Sequence, residues 1–236
     1  MNFALILSGG VGARMKNVGV PKQYIEIDGK PIIMFTLEKF ESNNRIDKII
    51  VVASKQWHSQ IEIWKEVYQI NKLVGIAEAG DSRQESILNG LEYCGILSKE
   101  EMDKVIIHDA VRPFVSEHLI STCIDTLDKH EGCMPVLPIH DTVYQSQDGK
   151  NITKLLDRNT LFAGQAPEAF RLKRYLEINR MATKEVLKNT SGTSMIAYRY
   201  SMDVCMISGE DTNFKITTPS DLIRFRTIIG EKNESI

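Results

Sequence analysis

Three runs of strand length, FALIL at residues 3–7, KIIVVA at 48–53 and KVII at 104–107, are apolar almost without interruption. A strand that is apolar on both sides of its pleat must be covered on both faces. Such runs therefore belong to a mainly parallel sheet with helices above and below. Between them the apolar spacing changes to three or four residues, which predicts helices over 32–40, 57–68, 83–94 and 117–127, with a further strand at 73–77. In a sheet of this kind ligands lie beyond the carboxyl ends of the strands. Polar loops leave those ends after Leu7, around Gly80-Asp81 and at His108 to Pro113, and their convergence is expected to make a site.

The first of these loops reads Leu7-Ser8-Gly9-Gly10-Val11-Gly12-Ala13-Arg14-Met15 and is followed by Pro21-Lys22-Gln23. Backbone N–H groups can approach phosphate oxygens closely where side chains are absent, and a following helix adds its positive end. Arg14 and Lys22 supply the charge that a backbone cradle lacks. A Walker loop would need Gly-Lys-Ser/Thr, and a dinucleotide fingerprint would need a small residue where Met15 stands. The loop thus suits a polyphosphate in a third arrangement; a ligand-free glycine turn is its alternative.

Composition narrows the partners. A net charge of −2 over 236 residues gives no general attraction to nucleic acid or to acidic membranes. Cys94, Cys123, Cys133 and Cys205 are scattered without C-x-x-C spacing, which argues against zinc and against a disulfide framework and fits a cytoplasmic setting. Met1-Asn2 leads straight into the first strand, so no signal peptide is expected, nor is a membrane span. The chain reads as a single domain over 1–236, with a β-hairpin arm over 139–166. Asp148-Gly149 marks the hairpin turn, between strands at Thr142 to Tyr144 and at Ile152-Thr153. The arm either packs on a second subunit or stands in solvent. Helical spacing returns over 171–187, a strand follows at 204–207, and Pro219 opens the last helix with Thr218 as its N-cap and a frayed tail from Gly230.

Several residues could carry chemistry. Asp81 is placed to cap the helix after it, and the amides there, with Arg83 and Ser86, could hold a base or a sugar. Asp109, at the end of a buried strand, could orient a divalent cation, or could simply pair with Arg112. Lys215, in a short apolar stretch, is either snorkelling or aimed into a cleft. Nothing resembles a nucleophilic triad.

Seven blocks, LSGGVGARM, PKQY, GDSRQESILNGL, IIHDAVRPF, DTV, LDRNTLFAGQAPEAF and NFKITTPSDL, closely resemble the cytidylyltransferases of the isoprenoid and teichoic-acid type, in that family's order from about residue 3 to residue 229. The resemblance implies a Rossmann-like nucleotidyltransferase fold and a homodimer that exchanges its arms. The implied reaction transfers CMP from CTP to a small polyol phosphate, with Mg²⁺ on the triphosphate. It also implies roles: Gly9, Gly10 and Gly12 for the phosphate cradle, with Leu7 and Ser8 also at the CTP; Arg14, Lys22 and Lys215 for the charge at the α-phosphate; Gly80, Asp81, Arg83 and Ser86 for the nucleoside. Asp109 would sit by CTP and the metal, and Arg112, Thr142, Arg158 and Ser191 by the acceptor. Val111 to Phe114, Gly164-Gln165 and Gln56-Trp57 favour ribitol 5-phosphate as acceptor over methylerythritol 4-phosphate. Ala166 and the loop from Thr190 to Ser194 depart from both branches and keep a glycerol phosphate open. A nucleotide-binding regulatory module without catalysis is the reading from another class.

Overall fold

The computed structural model describes residues 1–10 and 20–234. Its elements are β1 (Asn2–Leu7), β2 (Glu26–Ile27), β3 (Lys30–Pro31), α1 (Ile32–Ser42), β4 (Lys48–Ala53), α2 (His58–Val67), β5 (Leu73–Glu78), α3 (Arg83–Leu97), β6 (Lys104–Asp109) and α4 (Glu117–Thr126). The second half adds β7 (Gly132–Pro138), β8 (Val143–Gln145), β9 (Lys154–Leu156), β10 (Phe162–Gly164), β11 (Glu168–Arg171), α5 (Leu172–Met181), α6 (Lys184–Asn189), α7 (Thr193–Arg199), β12 (Val204–Ser208) and α8 (Pro219–Glu234). The uninterrupted apolar runs are the central strands. β1 lies between β4 and β6, and β5 pairs with β4, all in parallel. β11 runs antiparallel beside β6, β7 pairs antiparallel with β10 and β11, and β12 pairs in parallel with β7.

Alternate residues of each central strand feed two cores. Ala4, Ile6, Ile49, Val51 and Ile106 face Leu37, Phe40, Ile61 and Ile120 of α1, α2 and α4. Phe3, Leu5, Ile50, Val52 and Ile107 face Ile87 and Leu91 of α3 and Tyr175 of α5. Helix α3 packs closely on the sheet at Gly90, where an added Cβ would lie 2.3 Å from Leu5 Cδ1 and 2.8 Å from Val52 Cγ2. Gly90→Ala is accordingly expected to destabilise the fold by about 1–3 kcal/mol through overpacking. A denaturant midpoint equal to the parent's would contradict that.

A third apolar cluster, with Ile25, Ile32, Val111, Ile216 and Phe225, ties the small β2–β3 hairpin and α8 to the carboxyl edge of the sheet. Burial of Ile216 leaves its neighbour Lys215 facing the cleft. α8 begins as expected: Thr218 Oγ1 accepts from Asp221 N, and the Asp221 carboxylate accepts from the amides of Thr217 and Thr218.

Four expectations need correction. The hairpin turn is not a tight one at Asp148-Gly149: β9 starts at Lys154, and a loop over 146–153 joins the strands, with the Asp148 carboxylate accepting from Lys150 N and Asn151 N and Gly149 at φ +70. The helical stretch over 171–187 is two helices, because Thr183 caps a new one by accepting from Val186 N. Thr193 and Ser194 belong to α7 rather than to a loop. Helix α8 continues past Gly230 to Glu234.

Candidate active site

Two adjoining cavities open at the carboxyl edge of the sheet. The first, about 460 Å³, is lined by Leu7, Ser8, Gly9, Gly10, Lys22, Gly80, Asp81, Arg83, Ser86, Asp109 and Lys215, which are the described residues expected around a nucleotide. Gly12 and Arg14 lie outside the described residues. The second, about 590 Å³, shares Arg83, Asp109 and Lys215 with the first and adds Arg112, Glu168 and Ser191. Both volumes fall in the range of small-molecule sites, roughly 300–1,000 Å³. Thr142 and Arg158 reach neither cavity within one chain: Arg158 Nη1 donates to His140 O at 2.6 Å, at the base of the arm.

The glycine loop is held from below. Gln23 Nε2 donates to Ser8 O at 2.7 Å and to Gly10 O at 2.9 Å, and the Tyr24 hydroxyl contacts both the hydroxyl and the carbonyl of Ser8. Tyr24 in turn stacks on Trp57 with ring centroids 4.0 Å apart. Gly9 is small because Ala79 is beside it: an added Cβ would sit 2.5 Å from Ala79 Cβ. No atom of the described residues lies within 4 Å of that position at Gly10. Residue type alone singles out only Lys22 of the block PKQY, yet Gln23 and Tyr24 fix the loop's shape. Loss of one neutral hydrogen bond costs about 1 kcal/mol. Gln23→Ala removes two, and is therefore expected to raise the KM for CTP about tenfold without lowering the melting temperature comparably; an unchanged KM would show that the loop needs no support.

At the Gly80 loop the expected N-cap is displaced by one residue. Ser82, not Asp81, caps α3 by accepting from Glu85 N, and the Glu85 carboxylate accepts from Asp81 N at 2.9 Å. This is the Ser-x-x-Glu capping pattern, and it is legible in the sequence. Ser86 Oγ accepts from Gly80 N at 3.0 Å and donates to Ser82 O. The amides of Gly80 and Asp81 are thus already satisfied, and the loop offers acceptors to the cavity, among them the exposed Asp81 carboxylate.

Asp109 is the electrostatic centre. Lys215 Nζ lies 3.1 Å from it, Arg112 Nε 3.2 Å and Arg83 Nη2 3.7 Å. Burial would raise its pKa, but Lys215, Arg83 and Arg112 together hold it far below the usual carboxylate range. The two readings of Lys215 are decided by this geometry, which aims it into the cleft. The ion pair with Arg112 is present as well. Arg112 Nη1 also donates to Asn213 O at 2.7 Å, which anchors the segment carrying Lys215. His108, fully buried, has its pKa lowered to about 4 by burial and is neutral near pH 7. Its Nε2 lies 3.1 Å from Arg112 O, and since a carbonyl only accepts, that nitrogen carries the hydrogen. It serves as a strut rather than as an acid or base.

The chain matches the family model described as IspD, 2-C-methyl-D-erythritol 4-phosphate cytidylyltransferase, over residues 3–231. A ribitol-5-phosphate cytidylyltransferase of Vibrio parahaemolyticus is 35% identical over 97% of this chain and 96% of its own. One from Streptococcus agalactiae is 32% identical over 100% and 99%. Among solved structures, 4-diphosphocytidyl-2C-methyl-D-erythritol synthase from Anaerococcus prevotii has a TM-score of 0.79 at 26% identity, covering 98% of this chain and 96% of that one. The enzyme of Francisella tularensis, with a TM-score of 0.79 at 24% identity over 95% and 99%, agrees in fold. With its sheet, its glycine loop and nearly its whole length accounted for, the chain belongs to the IspD family of CTP-dependent cytidylyltransferases.

Proposed function

We propose that the protein transfers CMP from CTP to D-ribitol 5-phosphate, giving CDP-ribitol and pyrophosphate for a cell-surface polymer. The observation that carries this reading is the ring of Arg83, Arg112 and Lys215 around Asp109, where the two cavities meet. Fixed positive charge at that junction suits a step in which two phosphates must approach. An oxygen of the acceptor's phosphate attacks the α-phosphorus in line, the bond from that phosphorus to the bridging oxygen breaks, and pyrophosphate leaves. A phosphate monoester is already largely dianionic near pH 7, so no base is required. The neutral, enclosed His108 and the neutralised Asp109 accord with that. Lys22 and Lys215 act on the charge that develops at the α-phosphate and the leaving group, with Arg14 of the glycine loop as a third cation. Acceptors at the Gly80 loop suit the exocyclic amine of cytosine, where uracil would present a carbonyl.

The family resemblance implies a metal at Asp109. Among the described residues no group of three or more His, Cys, Asp or Glu side chains could hold an ion, and Asp109 alone faces the shared junction. That donor set suits Mg²⁺ arriving on the triphosphate with a single protein oxygen. Its chemistry there would be charge neutralisation on the phosphates.

The acceptor follows the relatives named for ribitol 5-phosphate. The family model's own description keeps 2-C-methyl-D-erythritol 4-phosphate as the second reading. Incubation with CTP, Mg²⁺ and a panel of ribitol 5-phosphate, methylerythritol 4-phosphate and glycerol phosphates, followed by product identification, tests the choice. Ribitol 5-phosphate should turn over fastest, and preference for another acceptor rejects it.

The working unit in this reading is a homodimer that exchanges arms in the cytoplasm. No described helix is long and apolar enough to cross a membrane. Tyr144, Leu155 and Phe162 on the arm are exposed, and Thr142 and Arg158 line neither of the two site cavities of their own chain. Mixing Arg158→Ala with Lys215→Ala subunits should regenerate activity, since one site of each mixed dimer would then be intact. Failure to complement would argue against arm exchange.

A further inference from the structure

Glu168 is a second carboxylate in the larger cavity, only 7% exposed. On β11 it pairs with Ile107, two residues before Asp109 on β6. Antiparallel neighbours and residues two apart share a sheet face, so Glu168 and Asp109 stand on one face as a diagonal pair, roughly 7–8 Å apart. Their surroundings differ. Asp109 is ringed by three cations, whereas Glu168 has no ion-pair partner among the described residues. Its Oε2 instead accepts from Ser194 N at 2.8 Å and from Ser194 Oγ. Ser194 is itself fixed through Thr193, whose hydroxyl accepts from Arg83 Nη1 at 2.8 Å and whose carbonyl accepts from the Tyr175 hydroxyl at 3.0 Å. A carboxylate held still and left un-neutralised in a cavity is an acceptor of hydrogen bonds in search of donors.

We infer that Glu168 selects the acceptor: its free carboxylate oxygen receives the hydroxyl groups of the polyol chain while Arg83, Arg112 and Lys215 take the phosphate. A polyol phosphate with its phosphate at the Asp109 end of the cavity would carry its hydroxyls toward Glu168, several carbons away. This rests on the proposed reading that a polyol phosphate occupies this cavity. A chain too short to reach Glu168, such as glycerol phosphate, would gain nothing from it.

The test measures steady-state kinetics of the parent and of Glu168→Gln at saturating CTP, with the KM for CTP and the melting temperature recorded alongside. The amide oxygen of glutamine can still accept from Ser194, so α7 stays in place. The KM for ribitol 5-phosphate is expected to rise about tenfold or more, as for loss of a charge-assisted hydrogen bond, with the KM for CTP and the melting temperature unchanged. An unchanged acceptor KM, or losses spread equally over both substrates and stability, would reduce Glu168 to a support for α7 and overturn the inference. A second arm needs no variant: the parent should favour ribitol 5-phosphate over its 1-deoxy analogue by a similar factor, and equal use of the two would also overturn it. A wrong acceptor in the proposed function shows separately, as preference for another member of the panel by the parent. In that case Glu168 is judged on the KM of the acceptor that does turn over. No turnover of any polyol phosphate rejects both.

Discussion

Lys215→Ala should lower kcat by about a hundred- to a thousandfold while leaving the fold intact. Removal of one fixed donor that meets transition-state charge costs that much in comparable sites, about 3–4 kcal/mol. The geometry explains why the two neighbouring arginines do not take its place at the α-phosphate. Arg112 is committed to Asp109 and to the carbonyl of Asn213, and Arg83 to Asp109 and the hydroxyl of Thr193. Each is braced by a second partner, whereas Lys215 is held at the cleft by its backbone and by Asp109 alone among its described polar contacts. Its side chain is 33% exposed and can turn toward a phosphate, trading one carboxylate for a more highly charged group. For the same reason its loss should cost little stability, since Arg83 and Arg112 still neutralise Asp109. Pyrophosphate release in single-turnover mode would show the defect in chemistry rather than in CTP binding. Near-normal release would remove Lys215 from the reaction.

The parallel core is legible because its signal is local. KIIVVA can be buried on both faces only as a central strand, and β4 occupies those six residues. The site is legible through residue types that have few other uses at strand ends: Gly9 and Gly10, Asp109, Lys215. The features that escape a sequence reading depend on contacts remote along the chain. Gln23 bonds carbonyls thirteen and fifteen residues away, and the brace on Ser194 comes from Glu168, twenty-six residues back. Neither carries a local pattern. The misplaced cap at Asp81 is different in kind, because Ser82 and Glu85 stand at capping-box spacing and only the charge of Asp81 favours the residue before them. The break at Thr183 carries a local signal too, a β-branched hydroxyl residue that interrupts helical spacing and is able to cap the next helix.

Asp109→Asn is the more revealing substitution for stability, because it leaves three cations converging on a group that no longer carries charge. Breaking an enclosed ion pair by removing one partner costs about 3–5 kcal/mol; the low end applies here because Arg83 and Lys215 are partly solvated. A loss of about 3 kcal/mol in a chain of this length lowers the melting temperature by roughly 6–12 °C. Two further measurements separate this cause from a packing defect. CTP added without Mg²⁺ brings negative charge to the same cations and needs no metal contact from Asp109, so its thermal stabilisation should be larger for the variant than for the parent. The pH dependence has a definite sign. Asp109 is more acidic folded than unfolded, so its contribution is fully present above about pH 5 and fades as pH falls through the unfolded value of about 3.9 and on toward the folded one. The gap in melting temperature between parent and variant should therefore be widest near pH 7 and narrow toward pH 3. A gap of constant size across that range would mean that the amide's NH2, a donor turned toward Arg83, Arg112 and Lys215, and not the lost charge, is what destabilises the variant.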